Sequence, residues 1–381
     1  MKKLYWRPQR ISLKVLWMLA FVAAVSLGII EGFKVKEQQP FYTEKLKAAR
    51  LTKTALEVIK KERLQRGIPI DLDTDPAMSG LIGVLLTDIT TNPGHLPAKQ
   101  TAVNPNFAAV IVHMLKRAGI EANDPVAVGF SGSFPSLNIA VMAALQTLGA
   151  KPIIISSVGA SQWGANIANF TWLDMETTLF KQRVFSFRSV AASRGGVDDR
   201  ALGLSKEGKQ KLDEAISRNE IPMLNPKNFD DSLEKRFALY REYAGGNEIK
   251  VYINVGGGTT SVGTTVGKKM FKPGLNRIPP RGIAEVDSIM TRFIVEGVPV
   301  IHLTNIDTIA QRYGLPLQPT TPVAVGEGKV FVREVYNRKL VFTALFIILL
   351  LIYAFIRFDW GYRILKAGQR DKPSTRPEKM V

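Results

Sequence analysis

The sequence predicts an α/β domain, a mainly parallel sheet with flanking helices, anchored by an N-terminal and a C-terminal transmembrane helix. Three observations carry this expectation. Strand-like and helix-like segments alternate through 81–313. Two long runs near the ends hold no charge. A strand followed by a small, polar, glycine-containing turn occurs twice, at 126–133 and at 249–263.

The ends set the outer limits. Val15 to Ile30 is uncharged and follows Lys2, Lys3, Arg7, Arg10 and Lys14. It fits the apolar core of a signal peptide or a slightly short span. No small-x-small cleavage site follows it, which favours an uncleaved anchor. Leu340 to Ile356 is the second run, with Tyr353 near its end and Trp360 and Tyr362 just beyond, as in an interfacial aromatic belt. Two spans place both termini on one side, and the basic tails make that side cytoplasmic. Lys329, Arg333, Arg338 and Lys339 flank the second span on its other side and weaken the asymmetry. The expected division is a tail and span over 1–33, a charged helical stem and linker over 34–80, and the α/β domain over 81–314. A linker over 315–339, a span over 340–357 and a basic tail over 358–381 follow.

Within the body, Thr43 to Arg66 reads as a charged helix and Leu81 to Leu86 as an apolar strand. A helix follows, with Asn104 and Pro105 at its start, Phe107, Val110, Ile111, Met114 and Leu115 on its buried face, and Gly119 closing it. Val126 to Phe130 reads as a buried strand. Ser131, Gly132 and Ser133 form its turn, and Pro135 opens a helix whose stripe is Leu137, Ala140, Val141, Ala144, Leu145 and Leu148. Pro152 to Ser157 is a further strand, Phe170 to Phe180 a helix and Val184 to Val190 a candidate strand. Ser205 to Arg218 and Asp230 to Tyr243 read as surface helices. Ile249 to Val255 is a strand that leads into Gly256, Gly257, Gly258, Thr259, Thr260 and Ser261. Consecutive glycines can turn backbone amides into a concave anion nest, and the hydroxyls add donors. The loop is no Walker A motif, because Gly263 is followed by Thr264 and Thr265. Glu285 to Glu296 reads as a helix and Val298 to Leu303 as a strand ending near His302.

In an open parallel sheet, ligands sit beyond the carboxyl ends of the strands. The loops after 86, 130, 157, 255 and 303 would bring Asp88, Ser131, Ser133, Ser156, Gly256 to Ser261 and His302 to that edge. The ligand-binding candidates are therefore Ser131, Gly132, Ser133, Gly256, Gly257, Gly258, Thr259, Thr260 and Ser261.

Composition narrows the chemistry. The 381 residues include no cysteine, which excludes disulfides, thiolate metal sites and cysteine nucleophiles. His95, His113 and His302 lack metal-ligand spacing, so no metal is expected. The net charge is +18, and segment 31–339 keeps 39 of the 51 basic and 30 of the 33 acidic residues, about +9. That balance suits a polyanion or lipid headgroups, or serves solubility alone. No nucleic-acid partner is expected.

The runs Val128-Gly129-Phe130-Ser131-Gly132-Ser133-Phe134-Pro135 and Asn254-Val255-Gly256-Gly257-Gly258-Thr259-Thr260-Ser261 lie between two apolar ends. With that layout the chain resembles the bacterial poly-gamma-glutamate system protein family. The resemblance implies a process, production of a γ-linked glutamate capsule polymer, and no catalytic residues. A bacterial inner-membrane location and contact with the polymer or with synthase and export subunits go with that process, while the two spans and basic tails place the main domain outside the cytoplasm. Two functions compete on these grounds. One is a component that binds poly-gamma-glutamate or another polyanion, or the synthase. The other is a serine-dependent hydrolase or transferase acting on γ-glutamyl bonds, with Ser131 as nucleophile and His302 as base. Gly129-Phe130-Ser131-Gly132-Ser133 misses the nucleophile-elbow pattern by one glycine, and Asp198, Asp199 or Asp287 would supply the acid.

Overall fold

A computed structural model describes residues 13–263 and 265–357. The basic tails, including Lys2, Lys3, Arg7, Arg10, Trp360 and Tyr362, lie outside the described residues. The chain divides into two units, one made of the two ends and one of Gln38–Val332. The first unit holds the helices Leu13–Gly32 and Arg338–Arg357, each long and apolar enough to cross a membrane.

The second unit is built on six strands: β1 (Pro125–Ser131), β2 (Lys151–Ser157), β3 (Ala191–Ser193), β4 (Val251–Val255), β5 (Gly274–Asn276) and β6 (Val300–Leu303). Their spatial order is β5-β6-β4-β1-β2-β3, and every pairing is parallel except that of β5 with β6. Alternate side chains of each strand enter opposite cores, so both faces are buried and the strands read as near-continuous apolar runs. Val126, Val128, Phe130, Ile154, Ile253 and Ile301 face one core. Ala127, Ile153, Ile155, Tyr252 and Val300 face the other. The chain runs outward from β1 through β2 to β3, then returns to the other side of β1 for β4. The strand order therefore reverses between β1 and β4.

The unit's helices of seven residues or more are α1 (Tyr42–Gln65), α2 (Leu96–Ala102), α3 (Phe107–Ala118), α4 (Pro135–Leu148), α5 (Trp172–Lys181), α6 (Lys206–Arg218), α7 (Phe229–Ala244), α8 (Ile289–Val295) and α9 (Ile306–Tyr313), and shorter helical turns occupy Thr259–Val262 and Thr265–Met270. α3 and α4 contribute to the first core, α7 and α8 to the second. Gly119 and Gly149 end α3 and α4 in the left-handed conformation (φ +87° and +68°), where a residue without Cβ is favoured.

The α/β unit takes in more chain than 81–314. α1 is no free stem: it packs on α3 and α4 and buries Ala48, Ala49, Thr52, Ala55, Leu56 and Ile59. This cover explains why α4 is buried beyond its expected stripe, at Ile139, Met142 and Ala143 as well. The proline-bearing segment after Gly314 also packs on the unit. Asn106 Nδ2 donates to Ala324 O (2.8 Å), and Lys45 Nζ donates to Val330 O (2.9 Å).

Three expected elements differ. Leu81 to Leu86 is no strand: its backbone is shared between two side chains and the loop residue Trp163, which accepts from Gly83 N (3.1 Å) and donates to Val84 O (2.9 Å). Arg63 donates to Gly80 O (3.1 Å) and Ile82 O (2.5 Å), and the Asn166 amide bonds both the N–H and the carbonyl of Val84 (3.0 and 2.7 Å). Val184 to Val190 is likewise held off the sheet. Gln146 takes Val184 O (2.8 Å) and Ser186 N (2.9 Å), and pairing with β2 begins only near Ala191. The helix expected over 285–296 is delayed to Ile289, where the Ser288 hydroxyl caps it by accepting from Thr291 N (3.1 Å).

Gly129 in the middle of β1 has a packing reason. A Cβ there would lie 2.4 Å from the Tyr252 hydroxyl, which shares a 3.0 Å hydrogen bond with Ser261 Oγ. Gly129→Ala is expected to destabilise the protein by about 1–3 kcal/mol through overpacking. Combining it with Tyr252→Phe should recover part of that loss, read by thermal melts of the full chain in detergent. Strict additivity would show that the clash is absent.

Candidate functional site

At the reversal of strand order, the loops after β1 and β4 part and open a cavity of about 720 Å³. This is where open α/β sheets hold ligands, since the adjacent chain exits lead to opposite faces. The cavity is lined by Ser131, Ser133 and Phe134 after β1, Ser157 and Ser161 after β2, and Gly256 to Ser261 after β4. Thr304 to Thr308 follow β6, and Asn92 to His95 with Lys99 close one side.

Two loops expected from the sequence thus meet. Ser131 Oγ accepts from Ser133 N (3.2 Å), and the Asn138 amide donates to Ser131 O (3.0 Å), fixing the turn ahead of α4. Gly132 does not line the cavity: a Cβ on it would meet Val158 O at 2.5 Å, so its role is close packing. Gly256 takes φ +89°, the left-handed region that a β-branched residue enters only at a cost, and Gly258 has φ −58°. The Asn254 amide donates to Gly256 O (2.7 Å) and holds the turn. Gly257 and Gly258 are exposed toward the cavity they line.

The remaining candidates go elsewhere. His302 is fully buried on β6, within 2.9 Å of the Asn254 amide, and does not line the cavity. The geometry therefore does not bring it to Ser131 as a base. Ser156 points away: its hydroxyl bonds Ser189 Oγ (2.7 Å) and accepts from Trp172 Nε1 (3.1 Å). Asp88 forms an exposed ion pair with Lys211. Asp287 pairs with Arg292 (2.7 Å). Among the described residues, no three His, Asp or Glu side chains converge as metal ligands.

Two buried charged groups on the cavity had no strong signature in the sequence. The first is Lys99 on α2. Its Nζ donates to Ser133 O and to Ser161 Oγ (2.9 Å), and stands 3.7 Å from the Phe134 ring centre. Burial with no ion pair brings the amine down to about 7, because the charged form loses water without gaining an anion. The second is the pair Arg236 and Asp199. Arg236 Nε and Nη2 reach the two carboxylate oxygens (2.8 and 2.9 Å), and Nη2 also donates to Ser193 Oγ (2.7 Å) and Ser157 Oγ (3.1 Å). Burial opposes ionisation of Asp199, yet the Arg236 charge with bonds from Arg236, Ser193 and Ser232 holds it below the usual carboxylate range. Asp198 and Asp199 sit at φ +53° and +60° after two left-handed glycines, Gly195 and Gly196. The charged, glycine-rich turn at 194–200 was thus the one sequence trace of this pair. Lys99 lies in an ordinary short helix and left none.

The cavity offers hydroxyls, exposed glycine backbone, the Arg236–Asp199 pair, the Lys99 amine, His95, and the Asp307 carboxylate, which accepts from Thr101 Oγ1 (2.7 Å). Such a set favours a polar, hydrogen-bonding ligand over an apolar one.

The amine gives a pH test. Its folded value lies below the ordinary 10.5, so between about 7 and 10.5 the unfolded chain holds more protons. Stability therefore rises with pH across that window. Lys99→Met removes the dependence. The melting temperature of the parent relative to this variant should climb from about pH 6.5 to about pH 9.5; a flat difference would mean that Lys99 stays fully charged.

Comparison with protein-family models, curated proteins and solved structures gave no match, so residues and geometry alone carry the functional argument.

Proposed function

We propose that the chain is a membrane-held binding component for a polycarboxylate, serving bacterial poly-gamma-glutamate production or export. One observation carries the reading: the loops Ser131–Ser133 and Gly256–Ser261 open on a single cavity with the Lys99 amine, at the reversal of the sheet. A γ-linked glutamate chain carries one carboxylate per residue. A carboxylate near Lys99 would restore the ammonium that burial disfavours, while glycine amides and hydroxyls donate to further carboxylate oxygens. The helices Leu13–Gly32 and Arg338–Arg357 would hold this domain outside the cytoplasm of a bacterial inner membrane, with both termini inside, beside synthase or export subunits.

Binding is tested by calorimetry of the detergent-purified chain with a synthetic γ-linked glutamate oligomer. The parent should bind, and more weakly as salt rises. Gly257→Val, which places a branched side chain on the exposed loop, should abolish binding with little change in melting. Ser131→Ala should cost about 0.5–1.5 kcal/mol, a few-fold to tenfold in affinity. Unchanged binding in Gly257→Val would remove the loop from the site.

Topology is tested by reporter fusions. Alkaline phosphatase should be active near Gly246 and inactive at the C-terminus; the reverse pattern inverts the orientation.

A further inference from the structure

Lys99 and Ser161 meet as a base and a nucleophile would. Lys99 Nζ is 2.9 Å from Ser161 Oγ, and both side chains are buried at the wall of the cavity. The Ser133 carbonyl accepts from the same amine, which fixes its direction. Ser133 Oγ accepts from Ser161 N (3.0 Å), which fixes the serine. One turn, already set by the end of β1 and the start of α4, thus orients both partners. The other ionisable groups on the cavity are His95, Asp307 and the Asp199–Arg236 pair. Asp307 accepts from Thr101 Oγ1 (2.7 Å) and Asp199 is committed to Arg236, and no ion pair reaches Lys99 among the described residues.

We propose that Ser161 and Lys99 are a catalytic pair that opens, or transfers across, the amide bond of a side-chain-linked glutamyl chain held in this cavity. The choice of substrate rests on the polycarboxylate reading above, with the amide at Lys99 and the carboxylates of the chain on the Gly256–Ser261 side of the cavity; the pair itself rests on geometry. Neutral Lys99 takes the proton of Ser161 Oγ as that oxygen attacks the amide carbon. The tetrahedral intermediate collapses, the C–N bond breaks, and the ammonium of Lys99 returns the proton to the departing amine. This leaves an ester on Ser161. Water, or an acceptor amine, then gives its proton to Lys99 and displaces the serine oxygen, which recovers its proton from Lys99. A lysine acts this way only when a substantial share of it is neutral near pH 7, as burial arranges here. Among the described residues no such base bonds Ser131, whose hydroxyl accepts from Ser133 N, and Ser133 Oγ accepts from Ser161 N.

The test uses the full chain in detergent with a fluorophosphonate probe and a γ-linked glutamate oligomer. The probe should label Ser161 by peptide mass spectrometry, at a rate that rises with pH through about 7. Lys99→Met should slow labelling at least about 10²-fold, and Ser161→Ala should abolish both labelling and oligomer cleavage. Lys99→Arg, which keeps the charge and cannot act as base, should behave like Lys99→Met. If these variants fail to fold, the parent's pH profile decides: a rate flat from about pH 5.5 to 8.5 overturns the pair. An unlabelled Ser161 with an oligomer that binds and stays intact overturns the catalytic inference and leaves the binding reading standing. A labelled Ser161 with an oligomer that does not bind supports the pair and removes the proposed substrate.

Discussion

The strands Pro125–Ser131 and Val251–Val255 lie side by side, and the chain leaves them toward opposite faces of the sheet. Pro135–Leu148 follows the first and packs in one core, while Val262 and Ile289–Val295 follow the second and pack in the other. The two exits diverge, and a crevice forms between them at the carboxyl edge. Each exit is tied to its neighbouring strand before it turns away: Gly132 N donates to Ser157 O (2.9 Å) and Gly256 N to Leu303 O (3.1 Å). The loops that line the cavity are thus continuations of sheet pairing. Their positions follow from the sheet.

The buried charges divide into two kinds. Asp199 and Arg236 are mutually satisfied and bonded by Ser157, Ser193 and Ser232, as a desolvated pair requires. Among the described residues Lys99 has a carbonyl, a hydroxyl and an aromatic face, and no anion. Its proton is therefore weakly held, and an arriving carboxylate would strengthen it by linkage. The same property suits an anion site and a proton acceptor, which is why binding and catalysis are proposed for one cavity and separated by experiment.

The helix Tyr42–Gln65 shows how a polar sequence enters a core. Its alanines lie against Pro135–Leu148, while Lys45 and Arg63 bury their stems and place their cationic ends on backbone carbonyls of distant segments. Arg63 in particular replaces sheet pairing for the stretch around Gly80 to Ile82. That substitution turns an apolar, strand-like run into a braced coil.

The sequence by itself determined the features that depend on local chemistry. The strand-to-helix alternation, the glycine stops at Gly119 and Gly149, the two apolar terminal helices, and the turns at Ser131–Ser133 and Gly256–Ser261 are written in spacing, propensity and backbone freedom. Only the tertiary structure decided which apolar run joined the sheet, because the backbone of Leu81 to Leu86 is engaged by Arg63, Asn166 and the Trp163 loop. It also decided that His302 is packed away from the cavity, and that Lys99, Ser161, Asp199 and Arg236 are brought to it. These four residues come from four separate segments with no shared spacing. Their conjunction and the lowered basicity of Lys99 arise from burial, which is a property of the folded neighbourhood and has no local pattern to read.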